Sequence, residues 1–344
     1  MSGRLKSFLI SALKFRYGKI APDSLENFPS REFQRIAILV QERIGDTILT
    51  TPLLKHLHRA FPKMKVDLIG VRPDNEILRE DPNIHQLYNL STISGQEKLE
   101  LFRQDYDLLF NTKDHPSFTF LWLSRRIKAE IRVGLEHRYH RGNFHYLISL
   151  PDETATVEKN CALLDLLGVT NWRNDPKPHF TMGPASKEID QFANQQLQPG
   201  EVIGINLSAS NIYKSWSSEN YRELLKKLQN RVIVFALPDK RDEKERLEKE
   251  FPRVIPSPMT PSINDVAFLV KRLKCLITPD TSLVHLASCF NIPVVALYRT
   301  PRDYARFPAY SDKQKILISE TGLTDDITPE QVWEDFQALL NTSK

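Results

Sequence analysis

Short apolar runs separated by helix-like stretches divide the chain into two series. In the first, "RIAILV" (35–40), "KVDLIGV" (65–71) and "YDLLFN" (106–111) read as strands, followed by "EIRVGL" (130–135) and "FHYLISL" (144–150). Between them, residues 47–60 read as a helix, because Leu49, Leu53, Leu57 and Phe61 recur about one turn apart. Residues 118–127 read as a second helix, and residues 157–167 as a third that Gly168 stops.

The second series starts near residue 200. Strands are expected at "VIGINL" (202–207), "RVIVFAL" (231–237), "RVIPS" (253–257), "CLITPD" (275–280) and "PVVALY" (293–298). Helices are expected at 218–228, 240–250, 263–273, 281–290 and 328–341. Strands that alternate with helices argue for parallel sheets covered on both faces. The predicted class is therefore α/β, with two doubly wound, Rossmann-like domains. We expect an N-terminal domain at 1–180 and a C-terminal domain at 181–327, joined in the proline-rich segment 174–200. A last helix within 328–344 is a candidate to pack back across the join.

In open parallel sheets, ligands bind at the carboxyl ends of the strands. Here those ends carry Gly45-Asp46-Thr47, the segment Ser208 to Lys214, and Pro279-Asp280-Thr281-Ser282. If the strand ends of the two domains face each other across a cleft, the three segments belong to one site. Asp46 in such a place could cap a helix, bind a ligand or take a proton.

Composition narrows the classes. The 344 residues suit two domains, and 41% apolar residues suffice for two cores. A net charge of +4 is too mild for a general nucleic-acid binder. Cys161, Cys275 and Cys289 have no zinc-site spacing and are too few for a disulfide framework, which points to a reducing cytoplasm. No run of about 18 apolar residues suggests a membrane span. The N-terminal stretch 3–17 has Leu5, Phe8, Leu9, Ala12, Leu13 and Phe15 largely on one side of a helix, ringed by Arg4, Lys6, Lys14, Arg16 and Lys19. Such a helix suits an anionic membrane surface or simply packs on its own domain; the sequence leaves both open.

No GxGxxG or P-loop follows the first strand, so nicotinamide and ATP-hydrolysis chemistry start without support. "DYD" (105–107) matches a metal-holding aspartate pair only as a tripeptide, and a surface turn is the simpler reading. Asp280, Thr281 and Ser282 stand where a strand gives way to a helix, a place where free N–H groups and the helix dipole attract phosphate. The simpler alternative is an aspartate N-cap. His285 follows Ser282 by about one turn on the same helical side. Lys214 could neutralise a phosphate with Trp216 packed behind it, or be an ordinary solvated lysine. The basic stretch 125–145 holds Arg125, Arg126, Lys128, Arg132, Arg138 and Arg141 with His137, His140 and His145. It can receive an anionic ligand or be solvated charge. Its histidines lack metal-ligand spacing, so no metal site is expected.

Taken together, "QERIGDTILTTPLLKHLHRAFP", "YDLLFN", "RRIKAEIRVGL", "INLSASNIYKSWSSENY" and "ITPDTSLVHLASCFNIPVVALY" occur in the order of, and resemble, the landmarks of glycosyltransferase family 9, the lipopolysaccharide heptosyltransferases. The resemblance covers roughly residues 35–300. It implies a GT-B architecture and an inverting, metal-independent enzyme with no cofactor. The reaction implied moves a heptose from ADP-heptose to an acceptor sugar of the lipid-anchored core. Asp46 falls on the proposed general base and Lys214 on the phosphate-contacting lysine. Asp280, Thr281 and His285 fall on the donor motif, with Ser208, Ser210 and Ser282 beside them. Thr47, Arg138, His140 and Arg141 are the candidates on the acceptor side. The implied partners are the nucleotide sugar and an anionic glycolipid, with no nucleic acid. The implied place is the cytoplasm, at the cytoplasmic face of the inner membrane.

The chain departs from the family pattern at Ser208 and Ser282, where glycine is usual, at Arg299 after "VVALY", and at Lys240 where a glutamate is frequent. These departures keep open a transferase of the same fold with another nucleotide sugar. A catalytically weak nucleotide-sugar-binding protein is a further alternative, against which the set Asp46, Lys214 and Asp280 argues.

Overall fold

The computed structural model describes residues 3–341, with side chains from residue 9 onward. Two compact units divide at Pro176 and Lys177, inside the proline-rich segment expected to hold the join.

The first unit runs α1 (Gly3–Tyr17), β1 (Arg35–Leu39), α2 (Ile44–Ile48), α3 (Thr51–Ala60), β2 (Lys65–Gly70), β3 (Gln86–Asn89), α4 (Gly95–Arg103), β4 (Asp105–Asn111), α5 (Phe118–Arg126), β5 (Lys128–Leu135), β6 (Tyr146–Ile148) and α6 (Thr156–Leu166). Its six strands are all parallel, in the order β3-β2-β1-β4-β5-β6. That is the doubly wound order whose strand sequence reverses between β1 and β4. Helices cover both faces, so the strands are buried on both sides and read as unbroken apolar runs. Ala37, Leu39, Ile69 and Leu109 form one core with Leu101 of α4 and Phe120 and Leu123 of α5.

The second unit runs α7 (Lys187–Gln196), β7 (Ile203–Asn206), α8 (Ser218–Lys227), β8 (Val232–Phe235), α9 (Arg241–Glu250), α10 (Ile263–Val270), β9 (Cys275–Pro279), α11 (Ser282–Phe290), β10 (Val294–Tyr298), α12 (Pro301–Arg306), β11 (Gln314–Ile318) and α13 (Pro329–Asn341). Its five parallel strands follow the order β11-β10-β9-β7-β8, which reverses between β7 and β9. The C-terminal helix, expected to reach back across the join, puts Val332, Phe336 and Leu339 into this unit's own core beside Leu224 and Leu297.

The structure revises several expected elements. The single helix 47–60 is two helices, broken at Leu49 and Thr50. "RVIPS" forms only an isolated bridge from Val254 to Val232. "DYD" opens β4 instead of forming a surface turn. Its Asp107 accepts hydrogen bonds from the Gln34 and Arg35 N–H groups at 2.6 and 2.9 Å, which fastens β4 to the start of β1. In α1, Arg4, Leu5, Lys6 and Phe8 lie outside the described side chains. Beyond them the buried stripe is Ile10, Leu13 and the half-buried Tyr17, packed against Leu121 and Phe144, while Ala12 is exposed. Of the expected apolar face, Leu13 thus packs on the helix's own unit, and Phe15 stands 93% exposed.

Candidate active site

In the first unit the strand order reverses between β1 and β4, and the loops that leave these two strands carry Asp46 and Lys113. Asp46 is half-buried in the first turn of α2. It is not the cap: Arg43 holds the N-cap position, and its side chain makes no capping hydrogen bond. A five-residue helix is too short to hold itself, because nucleation costs more than one turn returns. Threonines supply what the backbone lacks. Thr47 Oγ1 donates to the Arg43 carbonyl at 2.9 Å. Thr50 Oγ1 donates to the Asp46 carbonyl at 3.1 Å, since the Thr50 N–H turns instead to Thr47. Pro52 has no N–H for the Ile48 carbonyl, and Thr51 Oγ1 takes that place at 2.7 Å. Asn160 of α6 donates to the Leu49 carbonyl at 3.0 Å, inside the break. "TILTTP" is therefore a hydroxyl-stapled turn that presents Asp46.

Across this reversal Lys113, 5% exposed, pairs with Glu42 and lies over the Phe120 ring at 5.0 Å. A second buried lysine, Lys159, meets Asp114 at 2.8 Å and the Asp152 carbonyl at 2.9 Å. Both lysines carry their counter-charge with them, as buried charges must. The sequence reading missed all four residues; the signal available was "TKDH" directly after the strand "YDLLFN".

In the second unit the reversal lies between β7 and β9, and it brings together two of the expected segments. The loop after β7 ends in a short turn, Ile212–Lys214, capped by the Asn211 side chain, which accepts from the Lys214 N–H at 3.2 Å. Lys214 Nζ makes an ion pair with Asp280, at the end of β9. Burial raises the Asp280 carboxyl above its usual range, and the lysine works against that shift. Thr281 is the N-cap of α11 and accepts from the Leu283 N–H at 3.3 Å. Asn206 Nδ2 ties the two strand ends together by donating to Thr278 Oγ1 and Thr281 Oγ1 at 3.0 and 3.2 Å. Trp216 lies buried behind the lysine loop, its indole N–H on the Ile327 carbonyl at 2.7 Å. His285 is 2% exposed, its Nδ1 has no hydrogen-bond partner, and burial lowers its pKa to about 4 with Lys214 adding to the shift. It is a neutral ring at physiological pH. Arg299, at the end of β10, pairs with Asp303 at 3.0 Å and acts electrostatically on Asp280.

Ser282, in the first turn of α11, and Ser210, exposed in the lysine loop, stay at this edge. Ser208 is 8% exposed and its hydroxyl accepts from the Leu237 N–H at 2.8 Å, which commits it to holding the loop after β8. The acceptor-side expectations change more. Thr47 is fully buried and spends its hydroxyl inside the turn. His140 is 1% exposed, bonds the Leu135 carbonyl at 2.7 Å and has its pKa lowered to about 4 by burial, so it cannot serve as a cation near neutral pH. Arg141 pairs with Glu136 at 2.6 Å. Arg138 remains exposed, over the Tyr139 ring at 4.8 Å. Two arginines of the basic stretch cap helix ends: Arg132 donates to the carbonyls of Ser124, Ile127 and Ala129 at and beyond the end of α5, and Arg125 to those of Tyr17 and Gly18 at the end of α1.

Two Rossmann-like units in one chain, one with a carboxylate at its strand reversal and the other with a lysine beside a helix N-terminus, have the architecture of the GT-B class. The chain belongs to glycosyltransferase family 9 (heptosyltransferase), whose model matches residues 97–334. It is 25% identical over 280 residues to lipopolysaccharide heptosyltransferase 3 of Escherichia coli, covering 74% of this chain and 80% of that protein. Among solved structures, the glycosyl transferase family 9 protein from Veillonella parvula DSM 2008 superposes with a TM-score of 0.76 at 21% identity, over 92% of this chain and 100% of that one. The E. coli ADP-heptose lps heptosyltransferase II follows with a TM-score of 0.69 at 21% identity, over 90% and 99%.

Proposed function

We propose that this enzyme moves a heptose from ADP-heptose to an acceptor sugar of the lipopolysaccharide core, with inversion and without a metal. The observation that carries the reading is the Lys214–Asp280 pair at the foot of α11, on the strand reversal of the second unit. A diphosphate arriving there meets a lysine and the positive end of the α11 dipole, and it competes with Asp280 for the lysine. These groups stabilise the charge that develops as the bond between the sugar and the phosphate breaks. Asp46 accepts the proton of the attacking acceptor hydroxyl as the new glycosidic bond forms on the opposite face of the sugar. Each unit thus supplies one half of the chemistry. Neutral His285 acts as a hydrogen-bonding group, not a counter-charge.

The names of the relatives support heptose, ADP and lipopolysaccharide. Lys240 and Arg299 favour a second reading, a transferase of this fold with another nucleotide sugar: Lys240, paired with Glu243 at 2.8 Å, stands where the family often has a glutamate thought to meet the donor ribose. Nucleotide release from ADP-heptose, compared with UDP- and GDP-sugars, with and without core oligosaccharide, separates the two. Acceptor-dependent release from ADP-heptose is expected; release from a different nucleotide sugar alone overturns the heptose assignment. We also place the protein at the cytoplasmic face of the inner membrane. Exposed Phe15, with the exposed Arg16 and Lys19, is a small apolar and basic surface suited to anionic lipid. Co-sedimentation with phosphatidylglycerol vesicles should weaken in Phe15→Ser, and equal pelleting of both proteins would remove this placement.

A further inference from the structure

The carboxylate of a general base must be held to within a fraction of an ångström, yet α2 is five residues long and lacks a side-chain cap. Three threonines close the turn on itself and on the Gln41 carbonyl, and Asn160 ties its far end to α6. One further buried side chain ties it to the neighbouring strand's loop. Asn75, in the segment after β2, donates from Nδ2 to the Gln41 carbonyl at 2.7 Å and to Thr47 Oγ1 at 3.0 Å. Gln41 and Thr47 are the two flanks of the loop that carries Asp46. The Asn75 Oδ1 accepts from the Val71 and Arg72 N–H groups at 3.1 Å each. Both amide hydrogens and both acceptor sites of the carboxamide are therefore used, and they join the loop after β1 to the loop after β2. Thr47 shares its own hydroxyl hydrogen between the carbonyls of Gln41 and Arg43, at 3.2 and 2.9 Å, and receives the Asn75 N–H in return.

We propose that Asn75 is a positioning residue for transfer: it sets where the Asp46 turn stands on the end of the sheet, acting together with Thr47. The inference rests on the reading of Asp46 as the base. No other residue type fits the same geometry. Aspartate has no hydrogens for Gln41 and Thr47 when ionised, and leucine has no polar atoms. Room for Asn75 comes from Gly70, at the end of β2: a Cβ there would lie 2.6 Å from Asn75 Cβ and 2.8 Å from its Oδ1. Gly70 and Asn75 thus form one device, legible in the sequence only as "GVRPDN".

The test is steady-state transfer by Asn75→Ala, Asn75→Asp, Thr47→Val and the double variant Asn75→Ala/Thr47→Val, with ADP affinity and thermal unfolding of each. Gly70→Ala displaces Asn75 without altering it and serves if Asn75→Ala does not fold. The expected result is a loss in kcat of about tenfold or more with donor KM within about twofold, because a base moved by an ångström loses rate rather than substrate. ADP affinity, a property of the second unit, should stay unchanged. The double variant should lose less than the product of the two single losses, because the Asn75–Thr47 hydrogen bond is broken in both. Wild-type kcat in Asn75→Ala and Asn75→Asp overturns the proposal, as does a double variant whose loss is the product of the two singles. Asp46→Asn, measured alongside, keeps the failures apart. If it retains wild-type kcat the base assignment falls, whereas an inactive Asp46→Asn beside a fully active Asn75→Ala removes only the tie.

Discussion

The two strand reversals solve opposite problems with different materials. At the first, beside the buried pair of Lys113 with Glu42, the backbone turn that carries Asp46 is held by neutral groups: hydroxyls of Thr47, Thr50 and Thr51 and the carboxamides of Asn75 and Asn160, nearly all directed at backbone carbonyls. At the second, the working groups are charges paired with charges, Lys214 with Asp280 and Arg299 with Asp303. A base must be aimed, and short directional hydrogen bonds aim it. In the proposed reaction a diphosphate must exchange partners, and the ion pair holds Lys214 in place beside the helix N-terminus until an incoming anion competes for it. The reversal in strand order explains why each group lies where it does: two loops diverge there and leave the strand ends open.

The comparison breaks first at Asp46. Asp46→Asn should lower kcat by about a thousandfold, the middle of the range for general-base loss, while calorimetry shows ADP binding intact. Weakened ADP binding in this variant would mean that the two edges do not divide the chemistry. Lys214→Ala comes next, with a loss in kcat/KM of about a hundredfold. ADP affinity in the wild type should fall as salt rises, and the slope should flatten in Lys214→Ala; an unchanged slope would show that the lysine is not the phosphate partner.

Stability against pH sharpens the comparison further, because each unit holds a buried histidine whose pKa burial lowers to about 4, His140 in the first and His285 in the second. Their folded pKa lies below the unfolded value of about 6.5, so the unfolded chain binds protons first as pH falls. The stability they confer is complete above about pH 6.5 and is lost as pH drops toward 4, by on the order of 3 kcal/mol for each ring. Urea unfolding at pH 7 and 4.5 should show the loss, and His140→Gln and His285→Gln should each reduce its slope. The smallest effect belongs to the staple: Thr51→Val leaves the Ile48 carbonyl without a donor and should cost about 1 kcal/mol in the same assay.

Both sheets were legible in the chain because strands buried on two faces are written as unbroken apolar runs, and most were read within a residue or two. The strands β3 and β11 and the helices α4 and α7 escaped because they are short and partly polar. For α4 the cue was present: Ser94 and Glu97 form a capping box in "SGQEKLELF". The break at Leu49–Thr50 was hidden because its apolar spacing continues straight through Pro52. At the site, Lys214 and Asp280 could be pooled from the sequence since both end strands. Lys113 and Asn75 could not, because nothing local marks a lysine or an asparagine as buried. His140 and Arg132 were misjudged for the same reason: a basic residue type looks like surface charge until its surroundings are known.

The chain's own order of residues fixes the two α/β series and the place of Asp46 after the first strand, and its motifs carry the resemblance to the family. Each of these is a local pattern, set by periodicity or by residues adjacent in the chain. Which strands neighbour each other follows from the packed fold alone, and so do the meeting of Lys214 with Asp280 across 66 residues and the reach of Asn75 back 34 residues to Gln41. Strand order is set by how helices pack on both faces of the sheets. A hydrogen bond between distant loops exists only once that packing has brought their strand ends side by side.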